Sequence, residues 1–213
     1  MKREELLIEE EELVSIINDS NLRFFDATVA LDPTSEGSAF LDHATISDLN
    51  SIRRHTISDE KSLGEVFGGL GISRDTPVVV YATEMMALAT RIWWVLKYAG
   101  HRNVRVLNGG MRSWKGDLET AENKYLPTIF NTDLSSQMFA NREEVLTSIS
   151  DGSARVVNTL TPEMYRGGED IFYARHITGS VNYPPSLSLW MGITYYQTLL
   201  WQKSSSKKGS ATV

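Results

Sequence analysis

The chain has 213 residues, 41% of them apolar and 23% charged, the balance of one large globular domain or two small ones. Twenty-seven acidic residues against 21 basic ones give a formal net charge of -6, which does not suit a nucleic-acid binder. Cysteine is absent, which excludes disulfides, zinc–thiolate sites and any thiol or persulfide within these residues.

The first 20 residues hold seven acids and two bases. A secretory signal needs a basic start and a longer apolar core, and a mitochondrial presequence is rich in Arg and poor in acids, so a cytoplasmic, reducing setting is expected. No apolar run approaches the ~20 residues of a membrane span, and no membrane partner is expected. The acidic run Glu9–Glu12 reads as the solvated first turn of a helix over residues 10–18, with a partner-binding patch as the alternative. Leu22–Asp26 follows as a buried strand, and a polar, weakly patterned stretch runs to about Ser58. Asp59 then caps a helix through Phe67, which Gly68, Gly69 and Gly71 end. Pro77 opens the strand Val78–Tyr81, an apolar run suited to the centre of a sheet. Residues 84–98 (EMMALATRIWWVLKY) are apolar nearly all round and form a largely buried helix, with Met86, Trp93 and Trp94 as core residues. Gly100 ends it, Val104–Leu107 is a further strand, and Gly109-Gly110 turns into a short helix carrying Trp114. Strands alternating with helices predict an α/β layer with a parallel sheet.

The chain then repeats itself. Residues 13–27 (LVSIINDSNLRFFDA) lie over residues 145–159 (VLTSISDGSARVVNT) without a gap, at an offset of 132. Each copy reads as helix, tight loop and buried parallel strand. A second echo places His43-Ala44-Thr45-Ile46 near the position of His176-Ile177-Thr178-Gly179. A repeat this long predicts two similar domains rather than a solenoid. The expected organisation is a first domain over residues 5–120, a polar linker over 117–136, a partial second copy over 137–200, and a flexible tail over 202–213 with three lysines and no acid. At the same offset the counterpart of Val78–Tyr81 falls at 210–213. The second copy is therefore expected to lack its central strand and the loop after it, where open parallel sheets place ligands. Its strands Ala154–Val157 and Val181–Tyr183 are expected to be left without neighbours, at about 1–3 kcal/mol for each unpaired buried backbone group.

Other constellations are weak. The histidines His43, His55, His101 and His176 are scattered with no pair at i,i+4, and no metal site is expected. Gly68-Gly69-Leu70-Gly71 lacks the Lys-Ser/Thr of a phosphate loop and closes a helix instead of opening one. There is no G-x-S-x-G, and Arg53-Arg54-His55 reads as a solvated basic spot.

Three stretches carry a resemblance: VVVYATEMMALATRIWWVLKYAGHRNVRVLNGGMRSWKGDLET (78–120), SARVVNTLTPEMYRG (153–167) and HITGSVNYP (176–184). With its WW-bearing helix, GH–NVRVL strand and GG-x3-W turn, the chain resembles the tandem-domain rhodanese family of sulfurtransferases over roughly residues 5–190. The resemblance implies an α/β fold: a rhodanese-like parallel sheet flanked by helices, as one complete N-terminal domain plus a partial second copy. It also implies transfer of sulfane sulfur from thiosulfate or 3-mercaptopyruvate to a thiophilic acceptor. The family does this with a cysteine in the second domain, held in a loop between the central strand and the buried helix. Backbone N–H groups there, opening onto a helix N-terminus, favour a thiolate and then a persulfide.

This chain departs from that pattern. The position after the central strand of the first copy is Ala82, in keeping with the inert first domain of tandem members. Asn158-Thr159-Leu160 stands where many relatives have Asp-Ala-Arg, and the His-Ile-Pro-Gly-Ala analogue around His43 is degraded. Arg166 resembles the arginine that contacts the anionic donor, so it is the candidate substrate-binding residue; a surface ion pair is the alternative. A small anionic sulfur donor is the one ligand implied, and no cofactor is. Two functions stay open: a sulfurtransferase-family polypeptide, inactive in this form for want of cysteine, or a non-catalytic rhodanese-like module that binds an anion or a protein.

Overall fold

The computed structural model describes residues 2–28, 39–52, 55–83, 85–116, 123–167 and 176–184. They fall into two compact units, residues 2–135 and 136–184. The tail over 202–213, residues 185–200 of the partial second copy, Arg53-Arg54 and the start of the linker at 117–122 lie outside the described residues.

The first unit is built on five parallel strands: β1 (Leu7–Ile8), β2 (Arg23–Asp26), β3 (Ala39–Phe40), β4 (Val78–Tyr81) and β5 (Val104–Leu107). Their order is β1-β5-β4-β2-β3, with β4 in the centre. All four residues of β4 are buried, as a β-branched run between two packed faces requires. The pleat sends alternate residues to opposite faces. Phe25, Val78, Val80, Val104 and Val106 join one core with Leu63 and Phe67 of α2 (Glu60–Gly69) and Ile92, Val95 and Leu96 of α3 (Met86–Tyr98). Val79, Tyr81 and Leu107 join the other with Leu13 of α1 (Glu10–Ile16), and Phe24 stacks on Tyr81 at 4.6 Å between ring centroids. Burying each such side chain contributes about 1.5–3 kcal/mol, so this three-layer arrangement supplies most of the favourable free energy.

The expected elements of this unit are present, with two differences at the sheet edges. The two-residue strands β1 and β3 are too short to show periodicity; β1 pairs with β5 and β3 with β2. Asp59 caps α2 by accepting from the Ser62 N–H, but the helix runs on through Gly68 to Gly69 before Gly71 turns the chain at φ 71°. Met86 is buried, and Trp93 and Trp94 pack half-buried on the core.

Residues 123–135 are part of the packing of the first unit. Phe130 is buried against Phe67 and His101, and Tyr125 packs edge-on against Phe25 at 5.6 Å with the Arg23 guanidinium 4.5 Å above its ring. The Phe24 N–H donates to the Tyr125 hydroxyl, the Thr128 N–H to Gly68 O, and the Ser135 N–H to Tyr98 O. This connector explains Gly68: a Cβ there would stand 2.6 Å from Thr128 O. The glycine cluster closes the helix at Gly71, and at Gly68 it makes room for a neighbouring backbone.

In the second unit, α4 (Arg142–Asp151) begins at an Asn141–Glu144 capping box, and α5 (Pro162–Arg166) at Thr161 with Pro162 in its first turn. The strands are β6 (Val157–Asn158) and β7 (Val181–Asn182), shorter than expected. They are also not without neighbours, because they pair with each other in parallel. In the first unit Phe25 pairs with Ala39 and Asp26 with Phe40; in the second Val157 pairs with Val181 and Asn158 with Asn182. At the offset of 132, β6 is therefore β2 again in the same register, and β7 takes the place of β3. The second echo does not hold: His43 follows β3, whereas His176 precedes β7 across a turn at Gly179, φ 84°.

Candidate functional site

The carboxyl ends of β2 and β4 lie side by side, since Asp26 pairs with Tyr81. Two residues on from Asp26, the Thr28 N–H donates to its Oδ1 at 2.8 Å, and the Thr83 N–H donates to Thr28 Oγ1 at 3.0 Å. Ala82 follows β4 directly, and it is buried. Its carbonyl accepts from the Met111 N–H at 3.1 Å, and a Cβ on Gly110 would come within 2.4 Å of the same oxygen. The position directly after β4 thus holds a methyl group, beneath a tight turn that only glycine fits at φ 61°. A methyl group cannot form a thiolate, a persulfide or an ester. The Asp26–Thr28–Thr83 chain went unread in the sequence; Asp-x-Thr at a strand end was its only local signal.

The second unit repeats the arrangement with an amide. Asn158 Oδ1 accepts from the Leu160 N–H at 2.9 Å, the counterpart of Asp26 and Thr28, while the Asn182 side chain donates to Leu160 O at 2.9 Å. The Tyr165 hydroxyl donates to Ser180 O, and its ring stacks on His176 at 4.0 Å. Arg166 ends α5 with its side chain 67% exposed, and among the described residues it pairs with Glu163 at 3.5 Å. Glu163 is held below the usual carboxylate range chiefly by its own backbone N–H, then by the Thr161 hydroxyl, with Arg166 contributing least. An ion pair this exposed contributes little to stability.

The acidic run is largely occupied. Glu9 pairs with Arg3 and accepts from the Asn108 amide, Glu10 with Lys115, and Glu12 with Arg105 of β5. The run forms the N-cap and first turn of α1, with Glu11 and Glu12 exposed, and three of its four carboxylates also pair with neighbouring groups.

His101 is 2% exposed, and neither ring nitrogen has a hydrogen-bond partner. Burial, reinforced by the Lys97 ammonium, lowers its pKa to about 4; the Thr76 and Ser73 backbone pulls weakly the other way without a well-formed hydrogen bond. It is a neutral core residue. The fold also brings together His43 and His55, twelve residues apart in sequence, with ring centroids 5.6 Å apart. A shallow groove of about 450 Å3 lies between α2 and the connector, lined in part by Glu60, Gly64, Gly68 and Thr132; none of the strand-end residues above lines it.

A family model for the rhodanese-like domain matches residues 9–117, just over half of the chain. The chain belongs to the rhodanese-like family. Mouse thiosulfate sulfurtransferase is 34% identical over 158 residues, covering 70% of this chain and 53% of that protein. Mouse 3-mercaptopyruvate sulfurtransferase is 29% identical over 157 residues, with the same coverage. The chain thus spans about half the length of these curated relatives. The crystal structure of SseA from Escherichia coli, a 3-mercaptopyruvate sulfotransferase, superposes with a TM-score of 0.80 at 20% identity, covering 97% of this chain and 84% of that one, and so shares the fold. The rhodanese-like chain carries no cysteine, so none of its 213 residues can take up a sulfane atom. Among the described residues no helix is long and apolar enough to cross a membrane.

Proposed function

We propose that these 213 residues serve a sulfane-sulfur transferase without performing the transfer step. The observation that carries this reading is Ala82, buried after β4 at the strand end where a rhodanese domain holds its nucleophile, together with the absence of any cysteine. The first unit acts as scaffold. The second contributes Arg166, whose guanidinium draws in a small anionic donor such as thiosulfate or 3-mercaptopyruvate. The sulfur itself is carried by a thiol outside these residues. The purified chain, incubated with thiosulfate or 3-mercaptopyruvate plus cyanide, is expected to form no thiocyanate above a heat-killed control; turnover would overturn the reading. Added to a thiol-bearing second half of the domain, the chain should restore turnover, and Arg166→Met should raise KM for the donor more than it lowers kcat.

A non-catalytic binding module is the second reading. It is favoured by Val157 and Val181, 42% and 40% exposed on a sheet that has two strands among the described residues. Sequencing the transcript past codon 213 separates the two readings: a cysteine in a strand–loop–helix context supports the first, an immediate stop the second.

A further inference from the structure

Beyond β3, residues 41–52 and 55–57 are tied to one another. Ser47 and Ile57 form an antiparallel bridge, and the Asp48 N–H donates to Thr56 O at 2.8 Å. Two histidines meet here. His43 presents Nδ1 to Asp42 Oδ1 at 3.0 Å, and the same carboxylate oxygen accepts from the Ala44 N–H at 2.8 Å, so the aspartate is anchored before it meets the ring. In a neutral imidazole, a carboxylate at Nδ1 selects the tautomer with the proton there and the lone pair on Nε2. The His55 ring lies 5.6 Å away at an interplanar angle of 41°, on an exposed residue. The backbone of His55 is held at φ 64°, the one left-handed non-glycine residue among those described, by Arg91, which donates to its carbonyl at 2.9 Å.

The separation of the rings has a chemical meaning. An imidazole nitrogen ligates a transition ion at about 2.0–2.1 Å and its ring centre lies roughly 1.1 Å further out, so two imidazoles on one ion at a tetrahedral angle place their centroids about 5 Å apart. The observed centroid separation of 5.6 Å is close to that spacing. A carboxylate behind the first histidine is the arrangement that orients metal-ligating imidazoles.

We propose that His43 Nε2 and a ring nitrogen of His55 form an open two-histidine site for a divalent transition-metal ion of the imidazole-seeking class, copper(II) or zinc(II). Among the described residues no group of three His, Cys, Asp or Glu side chains closes a metal site, so solvent fills the remaining positions. Asp42 is the positioning residue: it touches the ring and not the ion. Arg91 holds the His55 backbone by donating to its carbonyl and contributes no ligand.

The test uses the tag-free 213-residue chain at pH 7.5. Copper(II) is added and read by electron paramagnetic resonance, and zinc(II) is titrated in competition with a chromophoric chelator. One equivalent should bind, with a copper spectrum showing two imidazole nitrogens. His43→Ala and His55→Gly should each weaken binding at least ~10-fold, and Asp42→Asn about 10-fold with both nitrogens still in the spectrum. His55→Gly accepts a positive φ and removes only the ligand, so loss of binding in that variant is not loss of the fold. His176→Ala should leave binding unchanged. Absence of a bound equivalent, binding that survives both His43→Ala and His55→Gly, or binding lost in His176→Ala would overturn the site.

Discussion

The strand pair β2–β3 and the strand pair β6–β7 are one motif in two settings. Both are parallel, both have the same register, and both end in an Asx turn in which the side chain of the last β2 or β6 residue accepts from the N–H two positions on. Around β2 the sheet continues through β4, β5 and β1, and Phe25 is 0% exposed. Around β6 no further strand joins among the described residues, and Val157 at the equivalent position is 42% exposed. Local sequence therefore suffices to shape the motif, whereas burial comes from the neighbours that the sheet recruits. An apolar residue at a strand position stabilises only as far as something covers it.

The largest expected contrast is in resistance to cleavage. The connector is fastened as far as Ser135, whose N–H donates to Tyr98 O, so the well-packed region ends there. Limited proteolysis read by mass spectrometry should leave a stable fragment ending near residue 135, with the first cuts in the second unit. An equally resistant second unit would mean that β6–β7 is covered as well as β2–β3.

The equivalent core positions sharpen the comparison. Phe25→Ala empties a site lined by Tyr125 and the β4 valines and should cost about 3–5 kcal/mol in urea unfolding. Val157→Ala should cost less than about 1 kcal/mol, read by peptide-resolved hydrogen exchange over the second unit. Similar losses at the two positions would show that Val157 is buried in solution.

His101 adds a pH dependence confined to the first unit. Its pKa is about 4 in the fold against 6.5 for the free side chain, so between those values the unfolded chain binds more protons than the folded one. The contribution is fully present above pH 6.5 and is lost as the pH falls towards 4, amounting to about 3 kcal/mol over that window. His101→Phe should flatten this slope in urea midpoints measured across pH; an unchanged slope would mean that the ring is hydrated in solution.

Much of the first unit was legible because its signals are local. The valine run of β4, the Asp59 cap and the all-round apolar α3 declare themselves within a few residues. The edge strands β1 and β3 did not, because two residues carry no period and their pairing is decided by β5 and β2. The connector read as a polar linker because its buried contacts, Tyr125 and Phe130, are isolated among exposed residues, and the glycine that admits it lies some 60 positions away. Of the candidate site, Ala82 and Arg166 were located by resemblance. The Thr28–Thr83 contact and the His43–His55 pair depend on tertiary folding and leave no spacing to read.

The Asx turns offer the smallest and most direct comparison. Asp26 Oδ1 holds the Thr28 N–H, and Thr28 Oγ1 in turn receives the Thr83 N–H from beyond β4, so the aspartate sets two loops at once. Asp26→Ala should cost about 1–2 kcal/mol, since a charged acceptor and the orientation of Thr28 are lost together. Asp26→Asn converts the turn into the one found at Asn158 and should cost only about 0.5 kcal/mol, because the acceptor oxygen stays in place. If Asp26→Asn proves as damaging as Asp26→Ala, the negative charge at the carboxyl end of β2 matters in itself. The two copies would then differ in electrostatics at this turn as well as in burial.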